Sequence, residues 1–124
     1  MKNFYKLIVM SCIALACFIM PALAVDFVEG MEDLPIMDGM EQIQNDNISF
    51  GNEETRFVEA YFSGKGIKFR RVETFYKETL PQLGWGFINK KGNVLHFERD
   101  MEILDIAQEK ASPLLVRITL KSKD

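Results

Sequence analysis

The sequence predicts an α+β fold, with one helix packed on an antiparallel sheet in the order β-β-α-β-β-β-β. Three observations predict it. Residues on both sides of the chain's middle alternate apolar and polar by twos; one stretch alone repeats by threes and fours; and Gly, Asn and Pro punctuate the joins between them. At 124 residues the chain is sized for one domain with a single core.

Before the fold comes a segment of another kind. Lys2 and Lys6 precede an apolar run from Leu7 to Met20, and Pro21-Ala22-Leu23-Ala24 closes it with small residues. Basic, apolar and small in that order is the pattern of a secretory signal peptide, so residues 1–24 are expected to be removed after Ala24. The alternative is an uncleaved anchor, because the apolar stretch approaches the roughly 17 to 25 residues that span a bilayer. Cys12 and Cys17 follow small residues but lack the upstream leucine of a lipidation site.

Both cysteines of the chain lie in this segment, so an exported remainder would hold no disulfide and depend on an ordinary hydrophobic core. Removing Lys2 and Lys6 takes the 15 basic residues to 13 against 18 acidic, and the net charge from -3 to -5. That balance excludes a nucleic-acid binder, which needs a basic surface to displace counterions from phosphates.

Residues 25–47 read as an acidic leader and residues 48–124 as the small α+β domain. From Val25 to Thr55 there are nine carboxylates and no lysine or arginine; from Arg56 onward there are nine acids and thirteen bases. The leader is expected to dock on its own body, its carboxylates facing Lys65, Lys68, Arg70 and Arg71, or on a partner. Pro35 holds Leu34 extended and Gly39 permits a bend, so Leu34, Pro35, Ile36, Met37 and Met40 form an extended apolar tip suited to a groove. Met31, Met37 and Met40 are thioethers of the kind Cu(I) prefers, but no histidine or cysteine lies near them, and flexible methionine ordinarily fills core gaps.

The body opens on polar Gln44-Asn45-Asp46-Asn47, read as turn chemistry because its acids lack the spacing of a calcium loop. Ile48-Ser49-Phe50 and Thr55 to Ser63 then form a hairpin about Gly51-Asn52-Glu53-Glu54. Ser63-Gly64-Lys65-Gly66 ends it. Val72, Phe75, Tyr76, Thr79, Leu80 and Leu83 next mark one face of a helix starting near Lys68 or Phe69, with Pro81 limiting it and Gly84 closing it in the left-handed conformation. Glu73 and Lys77 are spaced to pair on its exposed face. Trp85 to Asn89 and Val94 to Asp100 flank a four-residue loop, Lys90-Lys91-Gly92-Asn93. Glu102 to Gln108 and Leu114 to Leu120 complete the meander; the first of these also fits a helical face, but the flanking turns favour strand.

Phe75-Tyr76-Lys77-Glu78-Thr79-Leu80-Pro81-Gln82-Leu83-Gly84-Trp85, with Pro35-Ile36-Met37-Asp38-Gly39-Met40 and Arg56-Phe57-Val58-Glu59-Ala60, resembles a group of small exported α-proteobacterial proteins of unassigned function. They share a Pro-x-Met-x-Gly leader, an Arg-x-Val-Glu-Ala hairpin and a Phe-Tyr-x3-Leu-Pro-x-Leu-Gly-Trp helix end. Met40 stands here where they have leucine. The resemblance implies export and carries no activity. Phe75, Tyr76, Leu80, Leu83 and Trp85 are read physically as core anchors.

Catalysis lacks parts. His96 is the sole histidine and alternates with Leu95 and Phe97, as a structural or surface residue would, and Ser49, Ser63, Ser112 and Ser122 have no activating context. The expected function is therefore a non-catalytic binding or assembly module of the cell envelope, periplasmic, with no cofactor and with an envelope protein or its own leader as docking partner. The alternatives are an inner-membrane-anchored accessory subunit and a small-ligand or lipid carrier, the latter marked by an apolar cavity beneath Val72, Phe75 and Leu80.

Overall fold

A computed structural model describes residues 26–51 and 56–123. The expected signal segment and most of the turn after Gly51 lie outside these. The elements are β1 (Phe27–Val28), β2 (Met31–Pro35), β3 (Glu41–Gly51), β4 (Arg56–Gly64), α1 (Phe69–Thr79), a 3-10 turn (Leu80–Leu83), β5 (Gly86–Lys91), β6 (Val94–Arg99), β7 (Glu102–Ala111) and β8 (Leu114–Ser122).

The α+β class and the antiparallel sheet hold, but four strands rather than two precede the helix. The extra pair comes from the leader. Its β1 and β2 form a small antiparallel hairpin, and β3 begins at Glu41 and runs past residue 47 into the body. Val28, Met31, Leu34, Met37 and Met40 are all buried. Their spacing of three is neither the strand period nor the helical one: turns at Glu29-Gly30 and Asp38-Gly39 interrupt the pleat, and within β2 Met31 and Leu34 are both buried although three apart. Periodicity therefore gave no element there.

The main sheet has the order β3-β4-β8-β7-β6-β5, every pair antiparallel. Alternation places one face inward, and register aligns it into rows. Ala60, Ile118, Ile106 and Leu95 form one row across four strands; Val58, Leu120, Leu104 and Phe97 form the next, which Phe87 extends. The first eight residues named are at most 4% exposed. α1 and the leader cover this face together, and the core lies between. The Gln44–Asn47 stretch is not a turn before the body. It is an irregularity within β3, where pairing jumps from Ile43 opposite Tyr61 to Ile48 opposite Glu59.

The helix starts at Phe69, as its periodicity requires, and buries Phe69, Val72 and Tyr76. Pro81 has no N–H to continue the ladder, so the chain tightens into the 3-10 turn. Gly84, at φ 90°, then closes it, with Trp85 N–H bonded to the Leu80 carbonyl at 3.0 Å. Trp85 is buried, but Leu83 is 37% exposed. Leu83 is thus not a core anchor, since the 3-10 turn rotates it off the helical face. Glu73 and Lys77 do not pair either. Glu73 binds Lys90 of β5 at 2.6 Å, while the Lys77 ammonium sits 4.8 Å from the Phe87 ring centroid. The β5–β6 loop contains two residues, Gly92 and Asn93, rather than four, because Lys90 and Lys91 stay in the ladder opposite Leu95 and Val94.

Candidate functional site: the groove between leader and helix

The five leader residues picked out as a docking tip all lie against their own chain. Leu34, Pro35, Met37 and Met40 are buried and Ile36 is partly so. The Pro35 carbonyl accepts a 2.8 Å hydrogen bond from the Tyr76 hydroxyl, and Ile36 N–H donates to the Asp26 carbonyl at 2.8 Å. Met40 lies where the leader crosses the end of β4: a Cβ on Gly64 would come 2.5 Å from its sulfur, so glycine there permits the crossing. Burial pushes the Tyr76 hydroxyl far above the ordinary tyrosine range, against a smaller downward pull from a Met37 backbone hydrogen bond.

The leader's charge is met elsewhere than expected. Asp33 pairs with Arg99 at 2.7 Å, and Arg99 also donates to the Leu83 carbonyl at 3.0 Å and lies 4.3 Å from the Trp85 ring centroid. Lys65, Lys68, Arg70 and Arg71 form no ion pair with any leader carboxylate, or with any other group among the described residues. All four are exposed, and buried Ile67 and Phe69 between them turn Lys68 and Arg70 outward. Lys68 is the N-cap of α1 without a capping hydrogen bond, and the first turn holds no acid. These bases thus stand at the positive end of the helix dipole with nothing to offset them.

Beside them is a surface depression of about 430 Å³. Met37 and Asp38 of the leader form one wall; Arg70, Arg71, Thr74, Phe75 and Glu78 of α1 form the other. Partly buried Phe75 supplies apolar surface, to which buried Met37 adds little; the two arginines supply donors, and Asp38 and Glu78 add two carboxylates. A second depression of about 470 Å³ is lined by Gly39, Glu41, Ser63, Gly64, Lys65 and Pro113. Sequence reasoning named the leader's side of the groove and assigned the bases on the helix's side to the leader's own carboxylates, which they do not meet. The signal that could have found it was the density of bases, four within seven residues where a helix start favours acids.

On the opposite sheet face, His96 Nδ1 lies 2.6 Å from Asp105 Oδ1, both half-buried and cross-strand neighbours. Among the described residues no three His, Cys, Asp or Glu side chains gather as a metal site, and no helix is long and apolar enough to cross a membrane. Val72 and Leu80 are packed into the core, and the depression that Phe75 lines opens at the surface rather than beneath the helix. Searched against protein-family models, curated proteins and solved structures, the chain matches none.

Proposed function

We propose that this protein is a non-catalytic, exported binding or assembly module of the cell envelope, and that it holds its partner in the groove between leader and α1. The observation that carries the proposal is the pair Arg70 and Arg71, exposed and without an internal ion pair, on the rim of a depression whose apolar surface comes from partly buried Phe75. The leader contributes by building one wall, with Val28, Met31, Leu34, Met37 and Met40 occupied in the core. Export rests on the basic, apolar, small-residue order of the first 24 residues. Absence of catalysis rests on the single histidine and on both cysteines lying in that segment.

Two measurements test this reading. Fractionation with intact-mass determination should find a soluble periplasmic species beginning at Val25; a full-length species confined to the membrane fraction would replace it with the anchored accessory subunit. A photo-crosslinker in place of exposed Thr74 should form an envelope-protein adduct in cells. No adduct from Thr74, with adducts forming instead from the opposite sheet face, would move the binding surface there.

A further inference from the structure

We infer that the partner segment seated in this groove is an extended acidic stretch of protein carrying an apolar side chain, an inference that rests on the binding-module reading above. Lys65, Lys68, Arg70 and Arg71 bring four positive charges to seven residues of chain, and the fold neutralises none of them by ion pairing. Their placement opposes the helix dipole, so it weakens α1 unless an anion arrives. Charge complementarity thus selects a carboxylate-rich partner, and arginine at both rim positions suits bidentate carboxylate contacts. Partly buried Phe75 gives one apolar side chain a place between those contacts.

The same geometry disfavours an anionic bilayer. Asp38 and Glu78 stand on the walls among these four bases, so a uniformly negative surface laid flat across the groove is repelled at two points where it cannot turn its charge away. A discrete strand can set its acids against Arg70 and Arg71 and its apolar side chain elsewhere. The leader of a second copy is a poorer fit, because Val28, Met31, Leu34, Met37 and Met40 are in its own core and among its described residues Phe27 is the one large apolar side chain left exposed.

The test uses the protein purified from the envelope and a fluorescent peptide, Ser-Glu-Asp-Leu-Glu-Glu-Phe-Asp-Gly, with a counterpart bearing lysine at each acidic position. The acidic peptide should bind, more weakly as salt rises, and the lysine peptide should not. Replacing Arg70 and Arg71 with glutamine should weaken binding by roughly tenfold or more, whereas Lys110→Gln with Lys121→Gln, the same charge change at exposed sites elsewhere, should change it by less than about twofold. Both pairs are exposed, so melting temperatures check that each variant is folded. Equal losses from the two pairs, binding of the lysine peptide, or no binding of either would overturn the inference. So would binding to phosphatidylglycerol vesicles without binding to the acidic peptide, which would assign the patch to a membrane. The Thr74 crosslink separates the two levels. An adduct to a neutral or basic segment defeats this inference and leaves the binding module standing, whereas no adduct from Thr74 defeats both this inference and the groove as the binding surface.

Discussion

Tyr76 ties the leader to the helix through one buried oxygen. Its hydroxyl donates to the Pro35 carbonyl, and Tyr76→Phe would leave that acceptor without its partner. The expected cost is about 1 to 3 kcal/mol, read as a lower melting temperature. The hydroxyl also makes stability depend on alkaline pH. Its folded pKa lies above the ordinary value of 10.0, so its stabilisation is fully present below pH 10 and is lost as pH rises, because the unfolded chain ionises first. The melting temperature of the parent should therefore fall more steeply above pH 10 than that of Tyr76→Phe. Tyr61, raised mainly by burial and by Glu59, is common to both proteins and cancels. Parallel slopes would show that Tyr76 is not protected in the fold. Trp85 is 3% exposed under the Arg99 guanidinium, and Trp85→Ala should cost about 3 to 5 kcal/mol, enough to remove the cooperative melt at growth temperature. A cooperative transition near the parent's temperature would defeat that expectation. At this scale the sequence was informative: the Leu-Gly-Trp ending identified Gly84 and Trp85 by backbone and burial rules. It misled at Leu83, whose exposure depends on a 3-10 turn that helical spacing does not describe.

Among the elements, α1 has an uncapped start, and this sets a trade between stability and the proposed contact. Lys68 has the extended backbone of an N-cap, φ -93° and ψ 148°, but a side chain that cannot accept from the first-turn N–H groups. Lys68→Ser should stabilise the protein by about 0.5 to 2 kcal/mol, measured by denaturant midpoint, while weakening the acidic peptide. An unchanged midpoint would mean that solvent already satisfies those donors. The helix and the hairpins of the body were legible because each is written in local spacing and turn residues; the leader's β1–β2 hairpin was not. The ion pairs were not. Glu73 has a lysine one turn away and another on β5, and the strand that the helix crosses, not spacing along the helix, settles which one it meets.

For the whole molecule, the leader is part of the core. With Val28, Met31, Leu34, Met37 and Met40 buried, removing residues 25–40 should unfold the domain. Five side chains at about 1.5 to 3 kcal/mol each amount to about 7 to 15 kcal/mol, comparable to the whole net stability of a domain this size. Loss of the cooperative melt in the truncated protein checks this, and a retained melt would make the hairpin an accessory. From Arg56 onward, strand and helix identities were set by local chemistry: alternation by twos, one run of threes and fours, a proline to stop it and a glycine to turn. Residues near in sequence suffice for such choices. The leader's place in the core, the four bases without partners and the groove beside them depended on contacts between segments far apart along the chain. No spacing rule encodes those, because which acid reaches which base is decided only when β1, β2 and α1 lie on the same face of the sheet.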